Sequence, residues 1–126
     1  LKLRILDNSI RLRLTRTEVE TANSEGLVRG RVHFAGTNAF EYVFESSPAT
    51  VAPEAHISNN VMTVRVPAVD VQEWAASEQV SISAEQLLDD GERLSILVEK
   101  DFVCLAPRDG EDESDMYPHP NENESC

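Results

Sequence analysis

Cysteine is scarce in this 126-residue chain: Cys104 and Cys126 stand apart, with no second cysteine or histidine at ligand spacing from either. That excludes a zinc ribbon and a CxxC redox pair, and makes reduced thiols in a cytoplasmic setting the expectation. Basic residues are few as well. Eleven Lys and Arg face 23 Asp and Glu, a net charge of −12, which argues against nucleic acid or an anionic membrane surface as partner. No apolar run approaches the roughly 18 residues of a membrane-spanning helix. Leu1-Lys-Leu-Arg-Ile5 alternates like a strand and lacks the apolar core of a signal peptide. Also missing are G-x-S-x-G, HExxH, a P-loop and GxGxxG, so no familiar hydrolase, zinc-protease or nucleotide motif is available.

What is present is a pattern that occurs twice. In Asn8-Ser-Ile-Arg-Leu-Arg-Leu-Thr15, Ile10, Leu12 and Leu14 alternate with Arg11 and Arg13, the period of a strand with one dry and one wet face. Asn60-Val-Met-Thr-Val-Arg-Val-Pro67 repeats it 52 residues later, with Met62, Val64 and Val66 in the same register. The echo continues without a gap, placing Glu18-Val19 on Asp70-Val71, and Tyr42 and Phe44 on Leu94 and Ile96. Residues 1–47 and 53–99 are therefore read as two copies of one unit. A chain of this length supports one core, so the copies must share it.

Within each copy the local signals agree. Asp7-Asn8 and Asn59-Asn60 suit tight hairpins. Thr15-Arg-Thr-Glu18 fits a capping box, predicting a short helix carrying Val19 and Ala22, closed near Gly26. In the second copy a helix from Pro67 carries Val71 and Trp74. Residues 84–92 suggest a helical turn ending at Gly91. The fold class expected is α+β: an internally duplicated, mainly antiparallel sheet or open barrel of (β-β-α-β-β) twice, with two short helices. One domain covers 1–106, followed by an acidic extended tail over 107–126, with Met116 and Tyr117 as anchors to the body.

Charge is unevenly spread. Residues 1–31 hold seven of the eleven basic residues, and 109–126 hold seven acids with no Lys or Arg. If strands 1, 2 and 3 pair, Lys2, Arg4, Arg11, Arg13, Arg29 and Arg31 share the face opposite the core, with Glu41 and Glu45 on strand 4. That face is the candidate ligand site, for an anionic small molecule or for the tail itself, because Arg–carboxylate and Arg–phosphate pairs are geometrically favourable. Asp109, Asp112 and Asp115 are weak metal candidates, since the acidic run lacks EF-hand spacing. Cys104, in Phe102-Val-Cys-Leu105, reads as a buried thiol with no histidine to activate it.

The combination of Asn8-Ser-Ile-Arg-Leu-Arg-Leu-Thr15, Lys100-Asp-Phe-Val-Cys-Leu-Ala-Pro-Arg108 and Gly110-Glu-Asp-Glu-Ser-Asp115 with Tyr117-Pro118 resembles an uncharacterised family of small acidic bacterial proteins. The likeness covers essentially the whole chain. It implies that the acidic segment is a recurrent feature, and it brings no activity, cofactor or catalytic residue. His119 stands where that family has Asn in a closing Pro-Asn-Pro, so the resemblance assigns it no metal role.

The function expected is a non-enzymatic binding or interaction module, using its basic sheet face and acidic tail toward an unidentified protein or an anionic small molecule. No cofactor is expected. The alternative is a metal-dependent hydrolase of a phosphorylated small molecule, remotely similar to the triphosphate-tunnel enzymes. The N-terminal Glu-x-Glu-x-Lys of those enzymes is replaced here by Lys2-Leu-Arg-Ile5, and Glu41 and Glu45 alone are too few to hold a catalytic ion.

Overall fold

The computed structural model describes residues 1–102 and 114–118. The elements run β1 (Lys2–Leu6), β2 (Ser9–Leu14), α1 (Arg16–Glu25), β3 (Leu27–His33), β4 (Ala39–Ser47), β5 (Glu54–Ser58), β6 (Val61–Pro67), α2 (Ala68–Ala76), β7 (Ser81–Leu87) and β8 (Arg93–Lys100). The order is ββαββ twice, as the duplicated pattern predicts. No described helix is long and apolar enough to cross a membrane.

The local chemistry accounts for the boundaries. Thr15 accepts the Glu18 N–H while the Glu18 carboxylate accepts the Thr15 N–H, completing the capping box. Gly26, at φ +83°, closes α1 in the left-handed conformation that glycine adopts without strain. The two-residue hairpin loops place Asp7, Asn59 and Asn60 at positive φ, where short polar side chains are tolerated.

Sheet membership departs from chain order. One sheet runs β1-β2-β8-β7 and the other β3-β4-β6-β5, so each takes one hairpin from each copy. The hairpins are antiparallel, but the central pairs β2/β8 and β4/β6 are parallel. The two sheets do not close into a barrel.

The registers also correct the ungapped echo. Ile10 faces Ile96 and Leu12 faces Val98, whereas Met62 faces Tyr42 and Val64 faces Phe44. Tyr42 and Phe44 therefore correspond to Ile96 and Val98, 54 residues on, not to Leu94 and Ile96. The difference arises after the helices: α1 reaches β3 through Gly26 alone, while α2, one residue shorter, reaches β7 through residues 77–80. The helical turn expected over 84–92 is another correction. β7 continues to Leu87, with Ile82 on Val98 and Ala84 on Ile96, and only the Leu88–Glu92 segment turns, with Gly91 at φ +86°.

One core results. Leu12, Leu14, Val64, Val66, Phe44 and Val98 from both sheets meet Val19 and Ala22 of α1 and Val71 and Trp74 of α2, all buried. Trp74 packs on Phe44 at 6.1 Å between ring centroids and donates its indole N–H to the Val80 carbonyl at 3.1 Å.

At Gly30 on β3 the inner face has no side chain, and the Tyr42 ring lies in that space: a Cβ there would fall 2.2 Å from Tyr42 Cε2. Gly30→Ala should therefore displace the ring and cost about 1–3 kcal/mol by overpacking. Thermal unfolding checks this, with a midpoint several degrees lower expected. An unchanged midpoint would show that the ring swings aside freely.

Candidate functional site

On the outward face of the β1-β2-β8-β7 sheet the β1–β2 hairpin gathers four cations, and β8 adds Arg93 at its start. Lys2 stands opposite Arg13, and Arg4 opposite Arg11. Like charges directly across an antiparallel pair repel, so the arrangement needs compensation. Glu99 on β8 supplies most of it, at 2.8 Å from Arg13 Nε and 3.5 Å from Arg11 Nε. Lys2 Nζ lies 3.1 Å from the buried Asp101 carboxylate, just past β8. Arg4 is exposed and makes no ion pair with a described residue.

Arg4 and Arg11 border a shallow depression of about 500 Å³ that extends over Leu97 to β7. Three hydroxyls line it, Ser9, Ser83 and Ser95. Ser9 donates to the Leu6 carbonyl at 2.7 Å and Ser95 to Glu85 at 3.3 Å, while the Ser83 hydroxyl has no hydrogen bond to a described residue. The carboxylate on this rim, Glu85, is also engaged by Arg93 at 3.3 Å. Guanidinium groups beside hydroxyls suit an oxyanion, which accepts from both.

The other residues named from the sequence lie elsewhere. β3 pairs with β4, not with β1 or β2, so the single basic face is divided. Arg29 and Arg31 sit in the second sheet with Glu41 and Glu45. Alternation along a strand assigns a face but not a neighbour, which is why the six cations looked contiguous. Glu45 is committed to Arg65, whose guanidinium also reaches Glu54 at 3.5 Å. The hydrogen bond and charge of Glu45 hold the Arg65 guanidinium above its ordinary pKa. Glu41 faces Arg31 across β3–β4 without closing an ion pair. The tunnel geometry of the hydrolase alternative is not formed, because the sheets stay open and Glu41 and Glu45 are on a different sheet from Arg11 and Arg13.

One arrangement was missed. The Arg13–Glu99 pair on β2–β8 has a counterpart in Arg65–Glu45 on β6–β4. Arg13 and Arg65 are 52 residues apart and Glu45 and Glu99 are 54 apart, so only the corrected offset reveals it. Lys100 was missed too, since nothing in its flanks marks it as buried. Its Nζ donates to the Ser77 carbonyl at 2.8 Å and lies 5.2 Å from the Tyr117 ring centre. Burial pushes its ammonium below the usual lysine range.

The described segment of the acidic tail, 114–118, docks at the start of α1. Arg16 N–H donates to the Asp115 carbonyl at 2.9 Å, and the Asp115 carboxylate accepts from Thr17 Oγ1 at 2.9 Å and Thr17 N–H at 3.3 Å. Met116 is buried, and Tyr117 packs against Phe102 at 5.7 Å with the Arg16 guanidinium over its ring. These are the two anchors expected. Among the described residues no three metal-ligating side chains cluster. Asp109, Asp112, Cys104 and Cys126 lie outside the described residues.

Hydroxyl hydrogen bonds from Thr15 and Thr17 hold the Asp115 carboxyl below the usual carboxylate range. A carboxyl depressed in the docked state stabilises docking above its free pKa of about 4 and loses that effect as pH falls through the docked value. Segment 114–118 should therefore release in acid before the core opens. NMR should show Tyr117 shifts moving below pH ~4 while those of Trp74 hold, and Asp115→Asn should flatten the response.

A model described as a family of unknown function, DUF7009, matches residues 1–121. The chain belongs to that family. DUF7009 is thus represented here by a duplicated ββαββ fold with exchanged hairpins. No curated protein matches the chain, and no solved structure does.

Proposed function

We propose that this protein is a non-enzymatic binding module whose ligand is a small oxyanion, phosphate or carboxylate in chemistry, held between Arg4 and Arg11. The observation that carries this reading is the like-charge pair itself: two guanidiniums directly opposed on β1 and β2, with the carboxylate nearest Arg11 shared with Arg13. A bound anion would relieve that repulsion and take charge-assisted hydrogen bonds from both sides. The Ser83 hydroxyl, engaged by no described residue, adds a neutral donor, and the depression is large enough for a compact anion. Recognition here is electrostatic complementarity on a rigid sheet.

The test is thermal unfolding with inorganic phosphate, triphosphate and a short dicarboxylate at constant ionic strength. A ligand at about 100 times its Kd adds ~2.7 kcal/mol, which should raise the midpoint by several degrees. Arg4→Gln and Arg11→Gln should each abolish that rise. Without ligand and at low salt, Arg4→Gln should be as stable as the parent or more so, by up to about 1 kcal/mol, because it removes a like-charge neighbour. Variants that respond like the parent, or a parent that responds to no anion, would sink the proposal.

A further inference from the structure

We infer that the edge of β3 that no described strand covers is a docking site for an extended acidic peptide of another protein, taken up as an added strand. The other sheet edges differ from this one. β5 and β7 meet each other, the Ala55 N–H donating to Gln86 Oε1 at 2.7 Å, and β1 has only five residues. β3 has seven, contains no proline, pairs with β4 in unbroken register from Leu27 to His33, and is hydrogen-bonded to no other described strand. Its outer backbone groups are therefore a template for a further strand.

The side chains specify which strand fits. Arg29, Arg31 and His33 are exposed on one face, and neither arginine forms an ion pair with a described residue. On the other face, Val32 and the adjoining Phe34 are 44% and 56% exposed. A strand laid beside β3 would set alternate residues opposite Arg29 and Arg31 and the intervening ones beside Gly30 and Val32. Acidic residues alternating with apolar ones complement both faces. A second copy is a poor occupant, because antiparallel β3–β3 pairing sets arginine against arginine or histidine. Cations on an edge also serve simply to keep strands away; the two roles differ in what happens when an acidic strand is offered. These residues are separate from the Arg4–Arg11 depression, so either proposal can fail alone.

The experiment uses a blocked, labelled seven-residue peptide alternating Glu and Val, read by fluorescence anisotropy and by amide shifts of the full chain. The expected result is saturable binding with shifts concentrated in 28–33. Arg29→Glu/Arg31→Glu should weaken it by at least roughly tenfold, and Arg29→Lys/Arg31→Lys should retain most of it. A Lys–Val peptide should not bind, an N-methylated Glu–Val peptide should lose binding, and Arg4→Gln/Arg11→Gln should change nothing. Absence of binding at millimolar peptide would overturn the inference. So would equal binding of the N-methylated peptide, indifference to the charge reversal, shifts mapping elsewhere, or a chain that dimerises through β3.

Discussion

Replacing Trp74 with alanine should remove about 3–5 kcal/mol of stability, a large part of the ~5–15 kcal/mol that holds a domain of this kind together. The indole is fully buried on α2, contacts Phe44 from the second sheet, and gives its N–H to Val80 at the entry to β7 in the first sheet. It thus joins a helix to both sheets, and neighbouring groups cannot collapse into the space without moving the β7 entry. Trp74→Phe separates the two contributions. It keeps much of the ring packing and removes one of the two hydrogen bonds to the Val80 carbonyl, which still accepts from the Lys100 N–H at 3.0 Å, a smaller loss of about 0.5–1.5 kcal/mol. Chemical denaturation measures both. A Trp74→Ala midpoint close to the parent would mean that the helices are peripheral to the core, contrary to the packing described.

Lys2→Met should produce the second large loss, about 3 kcal/mol, from the low end of the cost of breaking a buried pair. The Asp101 side chain is only 4% exposed, and its Oδ2, which takes no well-aligned hydrogen bond from a described residue, has the Lys2 ammonium at 3.1 Å as counter-charge. The effect sits at the low end because Lys2 is itself 41% exposed. The double variant Lys2→Met/Asp101→Leu should recover much of the stability, since paired apolar replacements of a buried ion pair are often neutral. Measured free energies of the two single variants and the double decide it. Additive losses would show that the two residues do not act on each other.

Much of the fold was legible because several signals coincided at single residues. Alternation at Ile10, Leu12 and Leu14 assigned a buried face, the Thr15/Glu18 box marked a helix start, and the echo at Met62, Val64 and Val66 implied a shared core. All three hold in the structure. What alternation cannot encode is which strand lies alongside. Parallel pairing of β2 with β8 brings residues 86 apart side by side, and no local pattern announces it. Lys2, Arg4, Arg11 and Arg13 were therefore grouped correctly through their hairpin, whereas Arg29 and Arg31 were attached to them wrongly. The Ala84–Leu87 stretch misled for a different reason: Glu and Gln favour helix locally, but pairing with β8 overrides that preference.

The hairpin exchange between the two sheets has a topological consequence. Neither half of the chain holds a complete sheet, so a cut in the exposed 48–53 connection should yield two fragments that are each unfolded alone and that recover the native fold when mixed. The same geometry would be reached by a ββαββ peptide of half the length that folds only as an intertwined pair, its two copies joined end to end. In such a dimer the Arg13–Glu99 and Arg65–Glu45 pairs would be one intersubunit contact written twice. The Arg4–Arg11 depression and the β3 edge are where the two copies differ: His56 and Thr63 stand 52 residues after Arg4 and Arg11, and β7, the counterpart of β3, is tied to β5 through Gln86.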